Sequence, residues 1–426
     1  MSNHSTVQEI ASRAKQAGRL IAVADTETKN AVLLTMASLL EKFSADIVQH
    51  NKQDLGRARE SGIEHALYER LRFDESRVGS RVASLKKIAA LPDPVGQIFE
   101  QHTTAKGLMA GRMRVPLGVL LMIYEARPHV TVNAGAFAVK SGNAIICKGG
   151  SEARQCNSLL GQLWVEALER AGLPGEAVQV VSLRHDEIDE LLTMQDDIDL
   201  VIPRGGKALI RSVAEKSRIP VIRHFEGVCH VYIGPQADMD KAVQIALDSK
   251  LLMPAVCNAA ETVLFDESLQ KWLPHFLNAL DRSGITVRGC PAVCRQLQSA
   301  VPAAEGDWYA EYLDKIYAVK VVDGMDSAIG HIARYGSGHT DVIVTENYSH
   351  ARRFIAEVDS SVVLVNASTM FCDGETLGMG AEIGISTGKF HARGPMGLNE
   401  LTSYKHVILG DGQIMGSQYR VPEAGC

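Results

Sequence analysis

The chain has 426 residues, which at roughly 150 per domain predicts two or three domains. Apolar residues make up 46% and charged residues 22%, with mean hydropathy −0.01, which excludes fibrous, collagen-like and wholly disordered chains. A net charge of −6, a pI near 6.2 and 5% aromatics argue against a phosphate-backbone binder or a base-stacking platform, so no nucleic-acid partner is expected.

The first hundred residues predict helices. Val7, Ile10, Ala14 and Ala17 recur at helical spacing, and Val32, Leu33, Met36, Leu39 and Leu40 do so again. Ser44 is an expected N-cap for the next helix and Gly62 its expected stop. Leu91 to Gly96 (LPDPVG) breaks the pattern, and residues 97–115 predict a polar hairpin.

From Pro116 the rhythm changes. LGVLLMIY (117–124), NAIICK (143–148), AVQVVSL (177–183) and DLVIP (199–203) are short, continuously apolar runs, as strands buried on both faces are. Amphipathic, helix-length segments separate them, which predicts a doubly wound α/β domain. VCHVYI (228–233) and the helix after it add a further unit to that domain. A second α/β series follows, with strands expected at 261–265, 285–288, 316–322, 341–345 and 361–365. Residues 366–397 are glycine-rich and aperiodic. A loop that long is more often functional than idle, the alternative being a surface crossover.

The N-terminal segment has no apolar core of the signal-peptide kind, and the longest apolar run, 115–124, is too short to span a bilayer. Cys147, Cys156, Cys229, Cys257, Cys290, Cys294, Cys372 and Cys426 form no CxxC pair. Neither Cys290 with Cys294 nor Cys229 with His230 completes a zinc set. A reduced, cytoplasmic protein with no metal and no membrane partner is expected.

Cys257, in MPAVCNAAET, is the first candidate for chemistry. It falls between a helix ending near Lys250 and a strand beginning near Glu261, where converging backbone N–H groups activate a thiol and hold an oxyanion. The bland alternative is a small buried hydrophobe. Lys148, ahead of GGSEAR, and the run Arg204-Gly205-Gly206-Lys207 each join a strand end to glycines and a helix start. That arrangement suits a nucleotide phosphate or ribose, although a solvated strand end reads the same way. Arg127 and Arg393 suit a carboxylate or phosphate, or equally a structural ion pair. His339 and Asp341 look like an acid–base pair, but the pairing is discounted and neither is taken as a site residue.

These strings, in this order, resemble the aldehyde dehydrogenase superfamily. VPLGVLLMIYEARPHVTVNAGAFAVKSGNAIICKGGSEA looks like its cofactor-domain segment, and EYLDKIYAVKVVDGMDSAIGHIARYGSG like its later strand–helix segment. YEARP, VIPRGGKALI, GVCHVYI, PAVCNAAET and AEIGISTGKFHARGPMGL resemble the branch that reduces L-glutamyl 5-phosphate to glutamate 5-semialdehyde in proline biosynthesis. The resemblance covers residues from about 5 to about 414.

The resemblance implies an aldehyde dehydrogenase-like α/β fold: a Rossmann-type cofactor domain, an α/β catalytic domain and a small oligomerisation arm. Residues 1–254 are expected to bind NADP, with the 97–115 hairpin in the arm. Residues 255–366 are expected to carry the nucleophile, and 367–426 the glycine-rich substrate loop and the return to the first domain and the arm. Cys257 is the implied nucleophile; Lys148, Ser151, Gly205 and Gly206 the implied cofactor contacts; and Glu311 the contact to the nicotinamide ribose. Arg127, Asn258 and Arg393 are candidates for substrate. Ser151 takes the place of a ribose-binding Glu found in many NAD-preferring relatives, which favours NADPH; Glu152 is one residue away, and Arg154 is a candidate for the 2′-phosphate.

Two departures from the superfamily stand out. The oxyanion Asn of relatives aligns with Ala126, leaving the role to the N–H groups of Cys257 and Asn258. The general-base Glu has no counterpart, since Glu226 is near but His224 takes its place, as fits an enzyme that exchanges its acyl group with phosphate and not water. The rival readings are a CoA-acylating or hydrolytic aldehyde dehydrogenase, or a non-catalytic relative. No kinase domain fits in this length, so a separate glutamate 5-kinase is an expected partner, and a homodimer or tetramer the expected assembly.

Overall fold

The computed structural model describes residues 6–222 and 226–416. Two compact units are present: residues 1–201 with 398–426, and residues 202–397.

The first unit begins with helices Val7–Ile21, Thr26–Lys42, Ser44–Glu60, His65–Leu71 and Glu75–Ala90. Ser44 is the first helical residue and not the cap. Phe43 alone separates two abutting helices and holds the cap position without a side-chain bond. Gly62 does end the helix, at φ +69, one residue past Ser61, in the left-handed conformation glycine adopts freely.

A four-stranded sheet runs in the order Val178–Val181, Ala144–Lys148, Val119–Tyr124, Leu200–Arg204, with the first three parallel. The division between the units falls inside the last strand. Val119–Tyr124 is buried at every position, as its unbroken apolar run requires. Asp54, fully buried on helix Ser44–Glu60, accepts the N–H groups of Gln155 (3.1 Å) and Cys156 (2.9 Å), and so caps helix Arg154–Arg170 from outside. The 97–115 hairpin is present as Ile98–Thr103 against Met109–Pro116. The returning strand Thr402–Leu409 pairs antiparallel along the hairpin's other side.

In the second unit seven parallel strands run Val301–Pro302, Thr286–Gly289, Ile316–Val322, Ala260–Asp266, Cys229–Ile233, Thr340–Val344, Val362–Val365. The sequence reading counts Cys229–Ile233 with the first domain. It lies instead between Ala260–Asp266 and Thr340–Val344, and the expected boundary at 254 falls within this unit. A largely apolar run reports that it is buried, not which sheet buries it. Its core packs Val231, Ile233, Val263, Phe265, Phe276 and Val342 together. The glycine-rich segment holds two short turns and a two-stranded ribbon, Gly384–Ser386 against Gly394–Met396.

Candidate active site

Cys257 lies in the turn between helix Met239–Leu251 and strand Ala260–Asp266, where Ala259 N–H closes onto Val256 O at 3.0 Å. The turn rests on Gly227. A Cβ there would sit 1.9 Å from the Cys257 carbonyl oxygen, so only glycine admits this approach. The same oxygen accepts from the Cys229 thiol at 3.3 Å. Burial pushes the Cys257 thiol up to about 11. Arg204 pulls it down, while the carboxyls of Glu382 and Glu311 push it further up.

Glu311 accepts the Gly227 N–H at 2.9 Å, so one glycine touches both the nucleophile's carbonyl and this carboxylate. Burial raises the Glu311 carboxyl, against the pull of that N–H. Glu382 is also raised by burial, while it accepts the Gly374 N–H at 3.0 Å and faces Arg204. Arg204 and Glu382 were not assigned to this site by the sequence reading. Arg204 ends a strand ahead of two glycines, which was the available signal, but nothing local linked it to Cys257.

Asn258 is buried, and its amide donates to the carbonyl of Cys372 at 3.1 Å and those of Thr369 and Met370 at 3.5 Å. Its side chain therefore ties the Cys257 turn to the start of the glycine-rich segment. Arg393 donates to Asp359 through Nη1–Oδ1 at 2.8 Å and Nη2–O at 2.9 Å, which is the structural ion pair left open from sequence. Glu226 is paired with Lys207, and His224 lies outside the described residues. Asp341 is bonded to His230 at 2.8 Å, both fully buried.

In the first unit, Lys148 ends strand Ala144–Lys148 part-buried. Burial lowers its ammonium, while Glu152 and Glu125 oppose the shift. Gly149, Gly150, Ser151, Arg154, Ser182 and Arg184 border a cavity of about 690 Å³ beside strand Val178–Val181. Arg154 Nη2 donates to Ser182 Oγ at 3.2 Å. The Glu152 carboxylate is turned the other way, onto the N–H of Ala126, whose φ is +38. Arg127 holds the N-cap position of helix Pro128–Lys140.

The two glycine junctions differ. Helix Arg154–Arg170 has its first N–H groups filled by Asp54, so no phosphate is needed there. Helix Lys207–Lys216, whose N-cap is Gly206, has no side-chain cap, and Gly205 and Gly206 precede it. Among the described residues no group of three or more His, Cys, Asp or Glu could hold a metal ion, and no helix is long and apolar enough to cross a membrane.

Residues 1–283 match the aldehyde dehydrogenase family model. A protein of Desulfatibacillum aliphaticivorans named gamma-glutamyl phosphate reductase is 48% identical over 416 residues, 97% of this chain and all of that one. The crystal structure of the gamma-glutamyl phosphate reductase of Thermotoga maritima is 39% identical, with a TM-score of 0.94 over 97% of this chain and all of that chain. That of Saccharomyces cerevisiae is 32% identical, with a TM-score of 0.54 over 97% of this chain and 99% of the other. The chain is therefore an oxidoreductase that belongs to the aldehyde dehydrogenase family and groups with its gamma-glutamyl phosphate reductases.

Proposed function

We propose that this chain reduces L-glutamyl 5-phosphate to glutamate 5-semialdehyde and phosphate, with NADPH, through a thioacyl intermediate on Cys257. The observation that carries the reading is the Cys257 turn. A thiol sits there on Gly227, within the electrostatic reach of an arginine and two part-buried carboxyls, in a chain 48% identical to a gamma-glutamyl phosphate reductase.

The Cys257 thiolate attacks the acyl carbon, and phosphate leaves with the electron pair of the broken C–O bond. With Ala259 N–H closing the turn, the N–H groups of Cys257 and Asn258 are the donors left for the oxyanion. Bound NADPH supplies the hydride that turns the thioester into the aldehyde. Glu311, held by Gly227, is the group for the nicotinamide ribose. No residue of this turn needs to activate water, since phosphate and not water is the acyl partner.

The cavity around Ser151 and Arg154 is of a size and polarity to hold the adenosine end, with Lys148 at its strand edge. Turning Glu152 onto Ala126 removes the carboxylate that would repel a 2′-phosphate, and Arg154 with Ser182 offers donors for it. Gly205 and Gly206 leave an uncapped helix start for the cofactor's phosphates. Arg127 remains the candidate for the substrate carboxylate. Ile98, Met109, Ile408 and Leu409 are exposed apolar side chains on the three-stranded sheet, which supports a homo-oligomeric arm. A cytoplasmic location and a separate glutamate 5-kinase as supplier of the acyl phosphate complete the reading, on the resemblance alone.

The test is NADP reduction by glutamate 5-semialdehyde with and without phosphate. Phosphate-dependent turnover that Cys257→Ala abolishes is the expected result. Turnover that needs CoA or water in place of phosphate, or that survives Cys257→Ala, overturns the reading.

A further inference from the structure

We propose that Arg204 is the cation that seats the phosphoryl group of the acyl phosphate beside Cys257. The inference rests on the reaction proposed above and assigns a residue which that reading leaves without a role.

Arg204 stands part-buried at the carboxyl end of strand Leu200–Arg204. A Cβ on Gly384 would lie 3.9 Å from Arg204 Cδ and 4.0 Å from Nη1, so its side chain runs along the ribbon that follows Glu382. Its charge acts on both Cys257 and Glu382. Yet among the described residues it makes no hydrogen bond and no ion pair, although a guanidinium carries five donors in a fixed fork. Among the described residues, Lys207 is paired with Glu226, and Lys389 and Arg393 are paired with Asp359. The ribbon it runs along follows Glu382, which holds Gly374, and Gly374 lies two residues from the Cys372 carbonyl that Asn258 bonds. An unpaired guanidinium in the same connected cluster as the Cys257 turn is what a departing phosphate requires.

As the Sγ–C bond forms and the C–O bond breaks, the electron pair goes to a phosphate oxygen, and Arg204 neutralises that charge without a proton transfer. In reverse, the same contact aims a phosphate oxygen at the thioester carbon, and the C–S electrons return to Cys257. Glu382, held by Gly374 N–H, lies within the electrostatic reach of the guanidinium.

The experiment uses the full chain with Arg204→Met and Arg204→Lys, in the oxidation of glutamate 5-semialdehyde at varied inorganic phosphate, with NADPH affinity read by fluorescence. Arg204→Met should raise the KM for phosphate roughly tenfold to a hundredfold, as loss of a charged hydrogen-bond donor does. Arg204→Lys should recover part of it, and NADPH affinity should fall far less than phosphate affinity, since the backbone of Gly205 and Gly206, proposed for the cofactor's phosphates, is unchanged. An unchanged KM for phosphate, or a loss in NADPH affinity in its place, overturns the assignment. Wild-type protein with no phosphate-dependent turnover would instead overturn the reaction itself. If the Met variant does not fold, Arg204→Gln gives the same comparison.

Discussion

Gly227 donates its N–H to Glu311 Oε1 at 2.9 Å while its α-carbon bears on the carbonyl of Cys257. One residue without a side chain thus sets the distance between the candidate nucleophile and the carboxylate expected to hold the cofactor's ribose. A methyl group there would meet backbone atoms, which cannot rotate aside as a side chain can. Gly227→Ala should therefore lower kcat at least tenfold and cost about 1–3 kcal/mol in stability, the usual range for overpacking. Steady-state kinetics beside a thermal melt checks both. Wild-type kcat in the Ala variant would show that the turn tolerates the shift.

Burial holds the Cys257 thiol near 11, so at neutral pH the free enzyme carries a protonated thiol. The reactive form is gained as pH rises toward that value. Alkylation of Cys257 by iodoacetamide should accelerate about tenfold per pH unit between pH 7 and 10, the slope expected well below a thiol's pKa. Mass spectrometry identifies the modified residue. A rate that is flat across this range would mean that Arg204 outweighs burial.

Arg154 and Ser182 share the cavity from which Glu152 is turned away. Arg154→Ala should weaken NADPH binding about tenfold, the loss of one charged hydrogen bond, and leave NADH nearly unaffected. The ratio of the two dissociation constants, measured by fluorescence titration, separates 2′-phosphate recognition from general damage to the pocket. Equal weakening of both cofactors would place Arg154 elsewhere in the recognition.

Lys250 and Glu261, which flank Cys257 along the chain, form a fully buried ion pair at 2.6 Å. Burial raises the Glu261 carboxyl to about 7, and Lys250 draws it back. Removing one partner strands a buried charge. Lys250→Met alone should cost about 3–5 kcal/mol, and the double variant with Glu261→Gln should recover much of that loss. Chemical denaturation of the two variants gives the comparison.

The local content of the chain was largely legible in its residues. An unbroken apolar run such as Val119–Tyr124 is a strand because only a sheet covered on both faces buries it completely. The Cys257 turn, the two glycine junctions and the 97–115 hairpin were likewise visible, since turn chemistry acts over a few residues.

What joins distant segments was decided only in three dimensions. Cys229–Ile233 entered the second sheet because register with Ala260–Asp266, and not its own composition, selects its neighbours. Arg393 found Asp359, 34 residues away; Asp54 capped a helix about a hundred residues on; and Arg204 brought its charge within reach of Cys257. A charge announces that it needs a partner, but the fold alone determines which partner is within reach.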